Sequence, residues 1–64
     1  MEGKLLKAAE VAELLQVRKS TIYKWVHYNY IPFIKLGSSL RFNKDSILRW
    51  AKKNETEGRK QVFR

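Results

Sequence analysis

Six polar side chains occupy a run of seven residues: Arg18, Lys19, Ser20, Thr21, Tyr23 and Lys24. Each is a hydrogen-bond donor through a guanidinium, an ammonium or a hydroxyl, and none is a carboxylate. Such a set suits a partner that presents anionic oxygens and acceptor edges. Further along, Lys35, Arg41 and Lys44 add three cations. No acidic residue stands between Glu13 and Asp45, so the six cations Arg18, Lys19, Lys24, Lys35, Arg41 and Lys44 have no carboxylate within that stretch. The whole chain carries 14 Lys and Arg against 6 Asp and Glu, a net charge of +8. A charge distribution of this kind calls for an external anion, and nucleic acid or an anionic membrane are the usual ones.

Catalytic chemistry finds no foothold in the same residues. There is no Cys and only one His, which removes thiolate chemistry and any Cys- or His-rich metal site. No Ser–His–Asp set, phosphate-cradling glycine loop or dinucleotide fingerprint is present. Neither enzymatic activity, nor a metal, nor any other cofactor is expected.

The elements that must position these donors can be read from periodicity. In the segment Lys7 to Leu15, Ala8, Val11, Ala12 and Leu15 recur at i, i+3, i+4, i+7, with Glu10 and Glu13 turned away. That is a short amphipathic helix, with Lys7 a poor N-cap. Gln16, Val17 and Arg18 make a tight turn in which apolar Val17 plugs the join to the next helix. The second helix runs from about Lys19 to Tyr28. Ile22, Trp25 and Val26 share its apolar face, Ser20, Tyr23, Lys24 and His27 cluster opposite, and Thr21 and Tyr28 flank them. Asn29 suits the left-handed residue that closes a helix, and Ile31-Pro32 prevents its continuation.

Next, Phe33 to Phe42 alternates in the manner of a β-hairpin. With Gly37-Ser38-Ser39 as its turn, Ile34, Leu36, Leu40 and Phe42 would make one apolar face and Lys35 and Arg41 a basic outer face. A third helix follows, capped by Asn43, with Asp45 in its first turn and Ile47, Leu48, Trp50 and Ala51 on its buried face. Trp25 and Trp50 read as core, and Tyr28 and Tyr30 as a cover over the join between second helix and hairpin. Residues 1–4 read as a frayed start, 5–53 as one domain and 54–64 as a flexible basic tail.

The order is helix, tight turn, helix, hairpin, helix: a mainly α fold with a β-hairpin wing, a winged helix-turn-helix. LLKAAEVAELLQVRKSTIYKWV followed by IPFIKLGSSLRFNKDSILRWA resembles the excisionase-type, MerR-like winged helix-turn-helix domains. The resemblance covers Leu5 to Ala51. It rests on the EVAELL helix, STIYKW in the second helix, Ile31-Pro32 before the hairpin, Lys35-Leu36-Gly37 at its turn and Arg41-Phe42 on its second strand. That family binds DNA in small transcription regulators and in factors that steer recombinases. The resemblance implies that Arg18, Lys19, Ser20, Thr21, Tyr23 and Lys24 contact DNA from the second helix, and Lys35 and Arg41 from the wing. His27, Ser38, Ser39 and Lys44 form a secondary set of candidate contacts. The chain departs from the family at Lys7, where a Ser or Thr cap is usual, at Gln16 and Arg18, where Gly and Ser are common, and at Ser38-Ser39, where Arg or Lys is frequent.

The expected partner is double-stranded DNA, with an integrase or other recombinase as a second, protein partner. An adaptor that docks such a partner through its tail is the alternative. A membrane role is disfavoured because the cations are spread over a turn, a helix and a hairpin rather than one helix face. RNA fits less well, since a helix-borne polar face suits the B-form major groove rather than the deep, narrow A-form one. The expected address is the cytoplasm and the expected free state a monomer.

Overall fold

The computed structural model describes residues 5–55, in the order β1 (Leu5–Leu6), α1 (Ala8–Leu15), α2 (Lys19–His27), β2 (Ile34–Leu36), β3 (Ser39–Asn43) and α3 (Lys44–Lys53). The frayed start over 1–4 lies outside the described residues, as does the expected tail from residue 56 onward.

Helix α1 buries Ala8, Val11 and Ala12, the face its spacing marks out. Lys7 is its N-cap. The Lys7 backbone amide donates to Glu10 Oε1 at 2.7 Å, which occupies one half of a capping box. The Lys7 side chain makes no capping hydrogen bond, because an ammonium has no acceptor to offer. The helix ends at Gln16, which takes the left-handed conformation (φ 56°, ψ 47°). The Val17 amide then donates to the Ala12 carbonyl at 2.9 Å, and Val17 packs half-buried against the core. A non-glycine residue therefore makes the tight turn that brings α2 back across α1.

Helix α2 begins at N-cap Arg18, again with no side-chain cap. Its end is a Schellman motif closed by asparagine: Asn29 has φ 56°, its amide donates to the Val26 carbonyl at 3.0 Å, and the Tyr30 amide donates to the Trp25 carbonyl at 2.8 Å. Helix α3 is capped conventionally, with the Ser46 amide donating to Asn43 Oδ1 at 3.0 Å.

The sheet has three antiparallel strands in the order β1-β3-β2, one more than the sequence suggests, because Leu5 and Leu6 pair with Asn43 and Phe42. Central β3 packs against α1 on one side of the chain and is followed directly by α3, which also packs on it. Val11, Ile22, Phe42 and Ile47 are fully buried and join helices to sheet. Ile31 is buried as well, so the residue that ends the α2 connection is also a core residue.

Two sequence-based face assignments need correction. The hairpin turn is Gly37-Ser38, one residue shorter than expected, with Gly37 at the positive φ (64°) that the first position of a two-residue turn requires. The register is then Leu36 opposite Ser39, Lys35 opposite Leu40 and Ile34 opposite Arg41. Paired residues share a face, so Lys35 lies on the face of Leu40 and Phe42, while Ile34 and Leu36 lie on the face of Arg41. Losing one turn residue inverts the whole strand, and the proposed single basic face does not exist. Leu36 is accordingly exposed. Leu48 is exposed too, since Ile47, Trp50 and Ala51 centre the buried stripe of α3 and leave Leu48 on its flank.

Tyr30 is also placed differently. Its ring sits 5.6 Å from Trp25 and 5.3 Å from Trp50, the two tryptophans lie 5.5 Å apart, and its hydroxyl donates to Asn54 Oδ1 at 3.1 Å. This aromatic triad ties the end of α2 to the end of α3, not to the hairpin. Tyr28 is left well exposed.

The register yields a direct stability contrast. Leu36→Lys should change the free energy of unfolding by no more than about 0.5 kcal/mol, as an exposed surface change does. Leu40→Lys, on the core side of the neighbouring strand, should cost about 1–3 kcal/mol in a urea titration. Equal effects would contradict the two-residue turn.

Candidate nucleic-acid interface

With Ile22 fully buried and Trp25 and Val26 packed on the core, the orientation of α2 is fixed. Its outward surface then divides into two rows by helical spacing. Ser20, Lys24 and His27 form the outermost row, and all three are exposed. Lys19 and Tyr23, one turn apart, form a row that faces the hairpin. Thr21 lies on the opposite flank and is half-buried. Arg18 stands at the N-cap, exposed. His27 makes an edge contact with Tyr28 at 5.1 Å between ring centres.

Lys19 and Tyr23 line one wall of a cleft of about 340 Å³, together with Ser38, Leu40 and Arg41 of the hairpin and Lys7 to Ala9 at the start of α1. The structure thus unites Lys19, Tyr23, Ser38 and Arg41 in a single concavity. Arg18, Ser20, Lys24 and His27 stand outside it on the exposed part of α2. Lys35, on the edge strand, faces the same side as Leu40 but does not line the cleft. Ser39 is half-buried in β3, and Lys44 is exposed at the first turn of α3.

Arg41 is held in place. Its Nη1 donates to the Leu40 carbonyl at 2.8 Å, which fixes the guanidinium while leaving further N–H groups to bind an external acceptor. Among the described residues, the ion pair present is Lys52 to Glu55 at 3.1 Å, on α3. None of the six cations between Glu13 and Asp45 is neutralised by a carboxylate of the described residues. The like charges of α2 and the hairpin therefore converge without compensation, and an anion placed there would relieve their repulsion.

A family model described as a helix-turn-helix domain matches residues 5–55, the whole of the described region. The chain belongs to the helix-turn-helix domain family. Helices α1 and α2, joined at Gln16 and Val17, are the motif itself. Two relatives from strains of Mycobacterium tuberculosis, each named "Putative DNA-binding protein", are 40% identical to this helix-turn-helix chain over 43 residues, covering 67% of it. The chain spans about half the length of these relatives, the match covering 55% of each. No solved structure matches it. No helix among the described residues is long and apolar enough to cross a membrane.

Lys7 is the cleft residue that sequence reasoning treated only as a weak cap. The signal was present: a cation stood where a helix start favours a small oxygen-bearing side chain.

The two faces of α2 separate stability from surface chemistry. Tyr23→Ala and Lys24→Ala should retain the helical circular dichroism signal and unfold within about 0.5 kcal/mol of the parent. Trp25→Ala removes one ring of the aromatic triad and should cost about 3–5 kcal/mol, comparable to the whole stability of so small a domain. A folded Trp25→Ala protein, or loss of helix in Tyr23→Ala, would reverse the assignment of faces.

Proposed function

We propose that this helix-turn-helix domain is a sequence-specific duplex DNA-binding protein that acts by binding and not by catalysis. The single observation that carries this reading is the convergence of uncompensated cations and hydroxyl donors from α2 and the hairpin on one side of the domain. The likeness to relatives named for DNA binding supports it.

In this reading α2 enters the major groove, as the second helix of the motif does, with its N-terminal residues toward base edges. Arg18, Ser20 and Lys24 supply the donors on that helix, Thr21 lies half-buried at its flank, and His27 stands at its far end. The hairpin is a wing that meets the backbone: Arg41 from the cleft, Lys35 from the edge strand, and Ser38 at the turn. The uncharged turn makes the wing a weaker grip than the helix, and Ser39 and Lys44 are peripheral. The resemblance to excisionase-type and MerR-like domains favours a small regulator or a recombinase accessory factor, monomeric when free and bound beside a recombinase or at repeated sites. A single module of this size makes few base contacts, so a partner or a repeated site would raise its selectivity.

Contacts to phosphate position, and contacts to bases specify. If roughly five phosphates are neutralised, the logarithm of the binding constant should fall against the logarithm of salt concentration with a slope of about −4 to −5. Arg41→Ala should weaken binding to specific and scrambled duplexes alike and make that slope shallower by about 1. Arg18→Ala should narrow the gap between the two duplexes, because a bidentate base contact discriminates by about 1–3 kcal/mol. Fluorescence anisotropy with both duplexes at several salt concentrations reads all three quantities. A slope near zero, or discrimination lost in Arg41→Ala and kept in Arg18→Ala, would contradict the assignment.

A further inference from the structure

We propose that Lys7, Lys19 and Arg41 together clasp one backbone phosphate in the cleft between α2 and the hairpin, and that Lys7 holds the N-cap position of α1 for this purpose at the expense of a better cap. The inference rests on the duplex-binding reading and adds a third element, the start of α1, to the two that carry it.

Three observations converge. The first is geometric: Lys7, Lys19 and Arg41 come from three separate elements and line the same cleft of about 340 Å³, with Tyr23 and Ser38 beside them. The pairing of β1 with β3 explains how Lys7 arrives there. Leu5 lies opposite Asn43 and Leu6 opposite Phe42, so one further step of the same register sets Lys7 alongside Arg41. The short strand β1 thus ties the start of α1 to the hairpin, beside the packing of α1 on β3.

The second is chemical. A cleft that gathers three cations and two hydroxyls, with no acid among the described residues that line it, opposes its own assembly by charge repulsion. A tetrahedral anion with several acceptor oxygens satisfies it. The guanidinium of Arg41 is already oriented by its bond to the Leu40 carbonyl, so little ordering remains for it on binding.

The third is what Lys7 does not do. Its backbone amide is satisfied by Glu10, but its side chain provides no cap to α1. The same chain caps α3 with Asn43 in the ordinary way. Serine or threonine at position 7 would accept a bond from the first turn of α1 and stabilise it. The lysine forgoes that bond and puts an ammonium in the cleft instead. Lys19 is correspondingly a backbone contact, which leaves base reading to the outer row of α2 and to Arg18.

The test is Lys7→Ser in the full chain, read by thermal melting and by anisotropy against duplex DNA over a range of salt. The expected result is a higher melting temperature together with binding weaker by about tenfold. The loss should be the same for specific and scrambled duplexes, with a salt slope shallower by about 1. Lys7→Arg should bind as the parent does. Lys52→Ser, which removes the same charge from α3, should leave the slope unchanged. If the parent binds duplex DNA but Lys7→Ser binds equally well with the parent's slope, the clasp is wrong and the duplex reading stands. A lower melting temperature for Lys7→Ser, or an equal loss in Lys52→Ser, also overturns it. If the parent binds no duplex, both readings fall together.

Discussion

The burial of Phe42 is the constraint on which the rest of this domain depends. Its side chain is fully buried at the middle strand of the sheet, where β1 pairs on one side and β2 on the other. Helices α1 and α3 both pack on that strand. With so few fully buried side chains among the described residues, one large central anchor fixes the relation between helices and sheet. It also fixes the site. Arg41 precedes Phe42 in the strand and Leu40 precedes Arg41, so burying Phe42 sets the register that delivers the cation to the mouth of the cleft. The pairing of Leu6 with Phe42 brings Lys7 there from the other end of the chain.

A second theme is the placement of imperfect local choices. Helices α1 and α2 start with cations where a serine, threonine or asparagine would cap better, and the turn between them uses Gln16 in a left-handed conformation that glycine adopts more easily. Helix α3 is capped by Asn43 and has Asp45 in its first turn. The departures from local preference thus collect around the helix-turn-helix and its cleft. Sites where a sequence breaks local rules are where binding requirements compete with folding, and here the competition is between a helix cap and a positive charge.

The helices were legible because their information is local. The 3.6-residue spacing of Ala8, Val11, Ala12 and Leu15, the Ile22–Trp25–Val26 stripe, Asn29 as a helix stop and Asn43 as a helix start each act within one turn of chain. The hairpin was legible as a hairpin but not in its pairing. Whether the turn takes two residues or three is decided by the φ of Gly37 and by the packing of Phe42, and one residue of difference moves Lys35 from the face of Arg41 to that of Leu40. Strand β1 left no readable pattern, since two leucines alternate with nothing, and its existence depends on partners far along the chain, Asn43 for Leu5 and Phe42 for Leu6. The donors on α2 were recognisable by residue type. Their division into an outer row and a cleft row was not, because the cleft forms only when the hairpin and the start of α1 meet α2.

The central claim is that the surface shared by α2 and the hairpin is where duplex DNA sits. It is tested most directly by following backbone amide chemical shifts of the isotopically labelled protein as a duplex is added. The account predicts that the largest changes fall on Arg18 to Lys24, on Ser38 to Arg41 and on Lys7, while Arg49 to Lys53 at the far end of α3 change little. Changes concentrated on α3 around Trp50, or an unchanged spectrum at saturating duplex, would contradict it.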